Sequence, residues 1–243
     1  TLNFASVNMN HSISRRRFLA GSLAVSAAGP LVLPSAVLGK EGQLPPSERI
    51  TIGVFGVGNR GRHSLNAMRP LPDHQVVAIA EARRDRGESA CQMTEKFYAE
   101  RLGAGSYSGC KLYGDFREVL ARDDIDAVDV TAPSNAHKEI VLAAISGGKH
   151  VFCEKPLALN SADAKEMWLA AKARGIKNQV GFNYRFAPAV QLAKKLIDEG
   201  KIGKIFHFRG SFLQDWIIDP EFPLVWRLDK AVCGSGSLGD LGA

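Results

Sequence analysis

The feature that most restricts the fold is a glycine-spaced hexapeptide, Gly56-Val57-Gly58-Asn59-Arg60-Gly61, set between a short apolar run and a helical pattern. The run, Ile50-Thr51-Ile52-Gly53-Val54-Phe55, is rich in β-branched residues, as in a strand buried on both faces of a parallel sheet. A second run of the same type, Gln75 to Ala80, ends at Glu81, 20 residues after Gly61. Strand, glycine loop, helix, strand and terminal acid together form the fingerprint of a dinucleotide-binding βαβ unit. Gly56 makes the tight turn, Gly58 lets a pyrophosphate approach the backbone and the helix N-terminus, and Gly61 lets helix and strand pack closely. Glu81 is placed to accept hydrogen bonds from the adenosine ribose hydroxyls. A carboxylate there repels a 2′-phosphate, which favours NAD. Arg83 and Arg84, just beyond it, are candidates for holding that phosphate and keep NADP open.

Strand and helix go on alternating. A helical pattern covers 84–102 and a short helix Asp115 to Ala121, followed by a strand over Ala127 to Thr131. Ser134 is the expected cap of a helix running to Ser146, ended by Gly147-Gly148. A strand follows over His150 to Cys153, then a helix over 162–174 capped by Ser161 and stopped by Gly175. This order predicts a Rossmann-type doubly wound parallel sheet over residues 49–182. After a helical stretch over 187–199, Ile205 to Phe212 alternates like a long strand. Residues 183–243 are therefore expected to begin an α+β substrate domain with an open, mainly antiparallel sheet. One strand cannot close a sheet and bury both of its faces, so the chain reads as truncated at its C-terminus.

Charge placement excludes one class of partner. The formal net charge is +6, but residues 1–39 hold three arginines and no Asp or Glu. The rest has 28 basic against 25 acidic residues, too even a balance to argue for nucleic acid. The four cysteines, Cys91, Cys110, Cys153 and Cys233, are far apart, show no metal-ligand spacing and read as packing thiols; no metal is expected. Ser14-Arg15-Arg16-Arg17-Phe18-Leu19 fits a twin-arginine signal, followed by an uncharged run to Gly39 that Pro30 and Pro34 make a poor spanning helix. Pro34-Ser35-Ala36 offers small residues for cleavage, Met9 begins a leader of ordinary length, and residues 1–8 read as over-extended frame. Export to the periplasm by the twin-arginine machinery, which carries folded proteins, is the expectation; residues 40–48 are a polar linker.

By Val151-Phe152-Cys153-Glu154-Lys155-Pro156 the pattern becomes specific. The chain resembles the glucose–fructose oxidoreductase / inositol dehydrogenase (Gfo/Idh/MocA) family over roughly residues 49–243. Four segments carry the likeness: GVGNRG (56–61), TAPSNAH (131–137), EKP (154–156) and GSGSLGDLGA (234–243). The resemblance implies an NAD(P)-dependent oxidoreductase that moves a hydride between nicotinamide and a ring carbon of a sugar or polyol. It is expected to be a homo-oligomer when full length. Lys155 is the implied catalytic residue, beside the nicotinamide, where an ammonium stabilises developing alkoxide charge.

Thr131, Ala132, Pro133, Asn135 and His137 then line the cofactor site with Gly56 to Gly61, Glu81 and Glu154; His137 is a secondary candidate base. Asp240 is the implied partner of a catalytic His four residues on, which falls one residue beyond Ala243, so the fragment itself is expected to be inactive. Tyr184, Arg185, Trp226 and Arg227, with Asn183 and Asp215-Trp216, offer ring faces and hydrogen bonds suited to a sugar. Two other functions compete. One is a glycosidase of the same fold that oxidises a ring carbon transiently, a branch that lacks an intact EKP lysine. The other is a non-catalytic cofactor-binding scaffold, which Lys155 and Asp240 argue against.

Overall fold

The structure is a computed structural model describing residues 44–45, 48–102, 107–234 and 236–242. The twin-arginine segment and most of the linker lie outside the described residues. Six parallel strands form one sheet: β1 (Ile50–Phe55), β2 (His74–Ala80), β3 (Lys111–Tyr113), β4 (Ala127–Val130), β5 (His150–Cys153) and β6 (Asn178–Val180). Their order is β3-β2-β1-β4-β5-β6. This is the doubly wound arrangement, in which the winding reverses between β1 and β4 and opens a crevice at their carboxyl ends.

Helices cover both faces. On one face α1 (Asn59–Met68) and α2 (Arg84–Leu102) bury Leu65, Ala90 and Cys91 against Ile52, Val54, Val76 and Ile79. On the other, α3 (Phe116–Leu120), α4 (His137–Ser146) and α5 (Ser161–Ala173) pack Val119, Ile140, Ala144, Met167 and Ala171 against Phe55, Ala78, Val128 and Val130. Val76 and Ile79 share a face, although three residues apart, because the β1–β2 register shifts there: Ile52 pairs with Val76 but Gly53 with Ala78.

Several expectations need correction. Ser134 does not cap α4; it opens a 3-10 turn, Ser134–Ala136, that runs straight into the helix. The cap of α5 is Asn160, whose side chain accepts from the Asp163 amide, rather than Ser161. The three-residue edge strands β3 and β6 carried no sequence signal of their own. The strand expected over Ile205 to Phe212 is not formed. A strand exists only by pairing; this segment finds no partner among the described residues, and Phe206 and Phe208 stay 85% and 86% exposed. Beyond β6 the described residues form a 3-10 turn at Asn183–Phe186, α6 (Pro188–Asp198), another turn at Trp226–Leu228, α7 (Lys230–Cys233) and α8 (Ser237–Leu241).

Candidate functional site

The site is assembled at the carboxyl ends of β1, β2, β4 and β5. Gly56 leaves β1 with φ +86°, and a Cβ there would press on the Ala132 backbone at 3.0–3.1 Å, so only glycine fits between the two strand ends. A Cβ on Gly61 would collide with the Gly56 carbonyl, and the Thr131 hydroxyl already donates to that carbonyl at 2.5 Å. Gly58 is different: a Cβ there would meet nothing within 4 Å, so its glycine keeps an open cradle. The first helical amide to reach a carbonyl is that of Arg62, bonded to Gly58 O at 2.9 Å. The preceding amides of α1, from Asn59 to Gly61, have no intrahelical acceptor and give the cradle its positive end.

Glu81 stands at the end of β2 as expected and is pinned there. Its Oε2 accepts from the Val57 amide at 2.8 Å and its Oε1 from the Arg83 amide at 2.9 Å. Val57 itself is fully buried, so it acts by aligning the acid against the glycine loop. The two arginines do not face Glu81 as free cations: Arg83 pairs with Asp85 and Arg84 with Glu88, each at 2.7 Å. An open glycine cradle, free helix-end amides and an acid fixed beside them fit the pyrophosphate and ribose of a dinucleotide.

Arg60 does something the motif did not announce. Its Nε donates to Glu154 Oε1 at 2.5 Å, tying α1 to the end of β5. Glu154 is 5% exposed, and its Oε2 also accepts from the Lys155 amide at 3.2 Å. Lys155 and Asp240, 85 residues apart, are brought together: the ammonium donates to Asp240 Oδ1 at 2.7 Å and to its main-chain carbonyl at 2.8 Å. An ammonium has three N–H groups, so one remains with no acceptor among the described residues.

His137 is 1% exposed, with Nδ1 2.9 Å from Pro156 O and Nε2 2.8 Å from Ala132 O. Each ring nitrogen is turned to a main-chain carbonyl inside the protein. The ring braces the β4 loop against the Lys155-Pro156 turn, which removes it as a candidate base. Pro133 and Asn135 lie in the loop and turn that His137 braces. Asn59 is exposed, and its carbonyl lies 2.7 Å from His63 Nδ1.

The expected substrate side chains are packed with one another among the described residues. Tyr184 is 64% exposed and lies 5.9 Å from the Phe212 ring, while the Arg227 guanidinium stacks on Trp226 at 4.4 Å. Tyr184, Arg185, Trp226 and Arg227 make no hydrogen bond to Lys155 or Asp240 among the described residues.

Sequence reading overlooked Asp129 in the middle of β4. It is 1% exposed, with Oδ2 accepting from the Ser64 hydroxyl at 2.6 Å and Oδ1 without a partner among the described residues. Burial, reinforced by the Glu154 carboxylate, pushes its pKa up to about 6 against the Ser64 hydrogen bond. The signal was present: a lone acid in the apolar run Ala127-Val128-Asp129-Val130.

Residues 50–182 match the family model described as "Oxidoreductase family, NAD-binding Rossmann fold", and residues 190–243 match the GFO/IDH/MocA C-terminal domain. The chain is 40% identical over 204 residues to levoglucosan dehydrogenase of Pseudarthrobacter phenanthrenivorans, covering 80% of this chain and 48% of that protein. It is 35% identical over 153 residues to myo-inositol 2-dehydrogenase of Thermotoga maritima, covering 63% of this chain and 42% of the relative. Among solved structures, levoglucosan dehydrogenase in complex with NADH and levoglucosan aligns with a TM-score of 0.67 at 40% identity, over 79% of this chain and 51% of that one. The chain thus spans about half the length of the curated relatives it matches. With one family model matching more than half of its length, the chain is a member of the Gfo/Idh/MocA family of oxidoreductases.

Proposed function

We propose that the full-length protein is an NAD-dependent dehydrogenase of a cyclic sugar or polyol, oxidising a ring hydroxyl to a ketone or running the reverse reaction. The observation that carries this reading is the Lys155–Asp240 pair, set at the carboxyl edge of the sheet that also holds the glycine cradle and Glu81. Bound there, the nicotinamide supplies a two-electron hydride acceptor or donor. The chain supplies the rest. The amides of α1 and Gly58 hold the pyrophosphate, and Glu81 takes the ribose hydroxyls. Thr131, Ala132, Pro133 and Asn135, braced by His137, shape the nicotinamide end, and Arg60–Glu154 fixes the turn that carries Lys155. Lys155 gives its remaining N–H to the substrate oxygen and stabilises negative charge there, while Asp240 fixes the ammonium. Tyr184, Arg185, Trp226 and Arg227 contribute ring faces and donors for the sugar.

Relatives named for levoglucosan and for inositols support ring alcohols as the substrate class. The transient-oxidation glycosidase gains no support from those relatives, which are named as dehydrogenases. The test is NADH formation by the full-length protein with NAD and a panel of anhydrosugars, pyranoses and inositols. Tight NAD binding with no NADH from any ring alcohol would sink the dehydrogenase reading.

Cofactor choice follows from Glu81. NAD is expected to bind more tightly than NADP, since the nearby arginines are already paired with acids. Glu81→Ala should weaken NAD about 10-fold, by the loss of charge-assisted bonds, and narrow the gap to NADP. Titration with both nucleotides reads this directly, and an NADP preference in the unaltered protein refutes it.

Periplasmic destination and passage through the twin-arginine machinery are also part of the proposal, resting on Arg15-Arg16-Arg17-Phe18-Leu19 ahead of an acid-free apolar run. Replacing Arg15 and Arg16 with Lys should hold the precursor in the cytosol. Unchanged recovery in the periplasmic fraction speaks against the signal. Assembly with further copies of the chain completes the proposed partners.

A further inference from the structure

Two of the four scattered cysteines meet in space. Cys91 lies on the buried face of α2, and Cys110 leads into β3; they are 7% and 6% exposed. Their sulfurs are 3.7 Å apart, with the Cys110 thiol directed at Cys91 Sγ, and both are free thiols. Both belong to the apolar cluster formed with Ile52, Val54, Leu65, Val76 and Ile79. Cys153 and Cys233 sit elsewhere, each turned toward a main-chain carbonyl.

We propose that Cys91 and Cys110 are a redox-active pair that closes to a disulfide when the protein meets an oxidised protein disulfide or oxidised glutathione, stapling α2 to β3. A disulfide needs its sulfurs at about 2.05 Å, so closure asks for a small convergence of two side chains already in contact. The polarity of the contact assigns the roles. The hydrogen bond from Cys110 holds the Cys91 pKa below that of an ordinary thiol, and the same contact, with burial, drives the Cys110 pKa up. Glu95 on α2 opposes ionisation of both sulfurs; Arg122 favours it at Cys110. Arg69, Tyr98 and Tyr107 are the other titratable groups facing Cys110.

Cys91 is accordingly the attacking thiolate. It displaces one sulfur of the donor disulfide, giving a mixed disulfide and one released thiol. Cys110 then loses its proton and attacks Cys91 Sγ, forming the Sγ–Sγ bond and releasing the second thiol. Two electrons pass to the donor, which is reduced as the pair is oxidised. The staple closes across the α2–β3 connection, on the unit whose start carries Glu81. It rests on no assumption about the reaction catalysed.

The experiment equilibrates the full-length protein with glutathione buffers from reducing to oxidising, quenches in acid, alkylates under denaturing conditions and maps the peptides by mass. The expected result is joint loss of alkylation at Cys91 and Cys110 in a single two-electron step. One cross-linked peptide should appear, while Cys153 and Cys233 remain alkylated. Adding a reductant to the oxidised protein should lower its Tm by about 5 °C, and should leave a Cys91→Ser/Cys110→Ser variant unmoved. Full alkylation of both residues at the most oxidising poise overturns the proposal. So does pairing of either with Cys153, Cys233 or glutathione as the end product. The peptide map decides the matter on the unaltered protein, even if the serine variant folds poorly.

Discussion

Replacing Lys155 with Ala in the full-length protein should slow hydride transfer by on the order of 10²-fold or more, with little change in NAD affinity. The two effects separate because the groups are separate. Nucleotide affinity is assigned to the helix-end amides at Gly58 to Gly61 and to Glu81, which is fixed by the Val57 and Arg83 amides. Lys155 touches none of these; its ammonium is held by Asp240 from the far end of the chain. Two of its three N–H groups are committed to that partner, so the ammonium has little freedom to swing away, and the third is left for a substrate oxygen. A donor fixed in this way acts where charge develops, and its removal appears in the chemical step.

Single-turnover absorbance of the nicotinamide measures that step, and nucleotide titration measures the other. Asp240→Asn should cost less, because the main-chain carbonyl of residue 240 still holds the ammonium. Near-normal hydride transfer in the Lys155→Ala protein would refute the assignment. His137 could not then be invoked in its place, since both its ring nitrogens face main-chain carbonyls inside the protein.

The parts of the fold legible in the sequence were those whose signal is local. β1, β2 and the glycine loop carry their pattern within about thirty residues, and Glu81 was placed by spacing alone. β3 and β6 were not legible, since three residues such as Lys111–Tyr113 or Asn178–Val180 become strands only by pairing with β2 or β5. The segment Ile205 to Phe212 failed in the opposite sense: it alternates like a strand but has nothing to pair with among the described residues. In the site, the distances across the chain decide what can be read. Arg60 and Glu154 are 94 residues apart, and Lys155 and Asp240 are 85 apart; no periodicity links them. Each motif could be recognised by its own residues, but the pairing between motifs is a property of the assembled sheet. The Cys91–Cys110 contact is hidden for the same reason, since a helix and a strand entrance meet only after α2 has packed.

Asp129 shows what a local signal, once noticed, predicts for the whole molecule. Its carboxyl is buried in β4, with one oxygen bonded to Ser64 and the other unpaired among the described residues, and burial raises its pKa from 3.8 to about 6. The native protein therefore keeps a proton between about pH 4 and pH 6 that the unfolded chain has released. Where the native state binds more protons, stability falls as pH rises. The contribution is fully present below about pH 3.8 and lost as pH rises through about 6; above that both states are ionised and the slope ends. A shift of this size is worth on the order of 3 kcal/mol, large beside the net stability of a domain.

Asp129→Asn keeps the shape and a polar partner for Ser64 but has no charge to expose. Its stability relative to the unaltered protein should rise by on the order of 3 kcal/mol between pH 4 and pH 7, measured as urea midpoints along the pH series. Parallel curves over that range would mean that Asp129 is ionised at pH 4, and that the core beneath the glycine loop solvates it better than its burial implies.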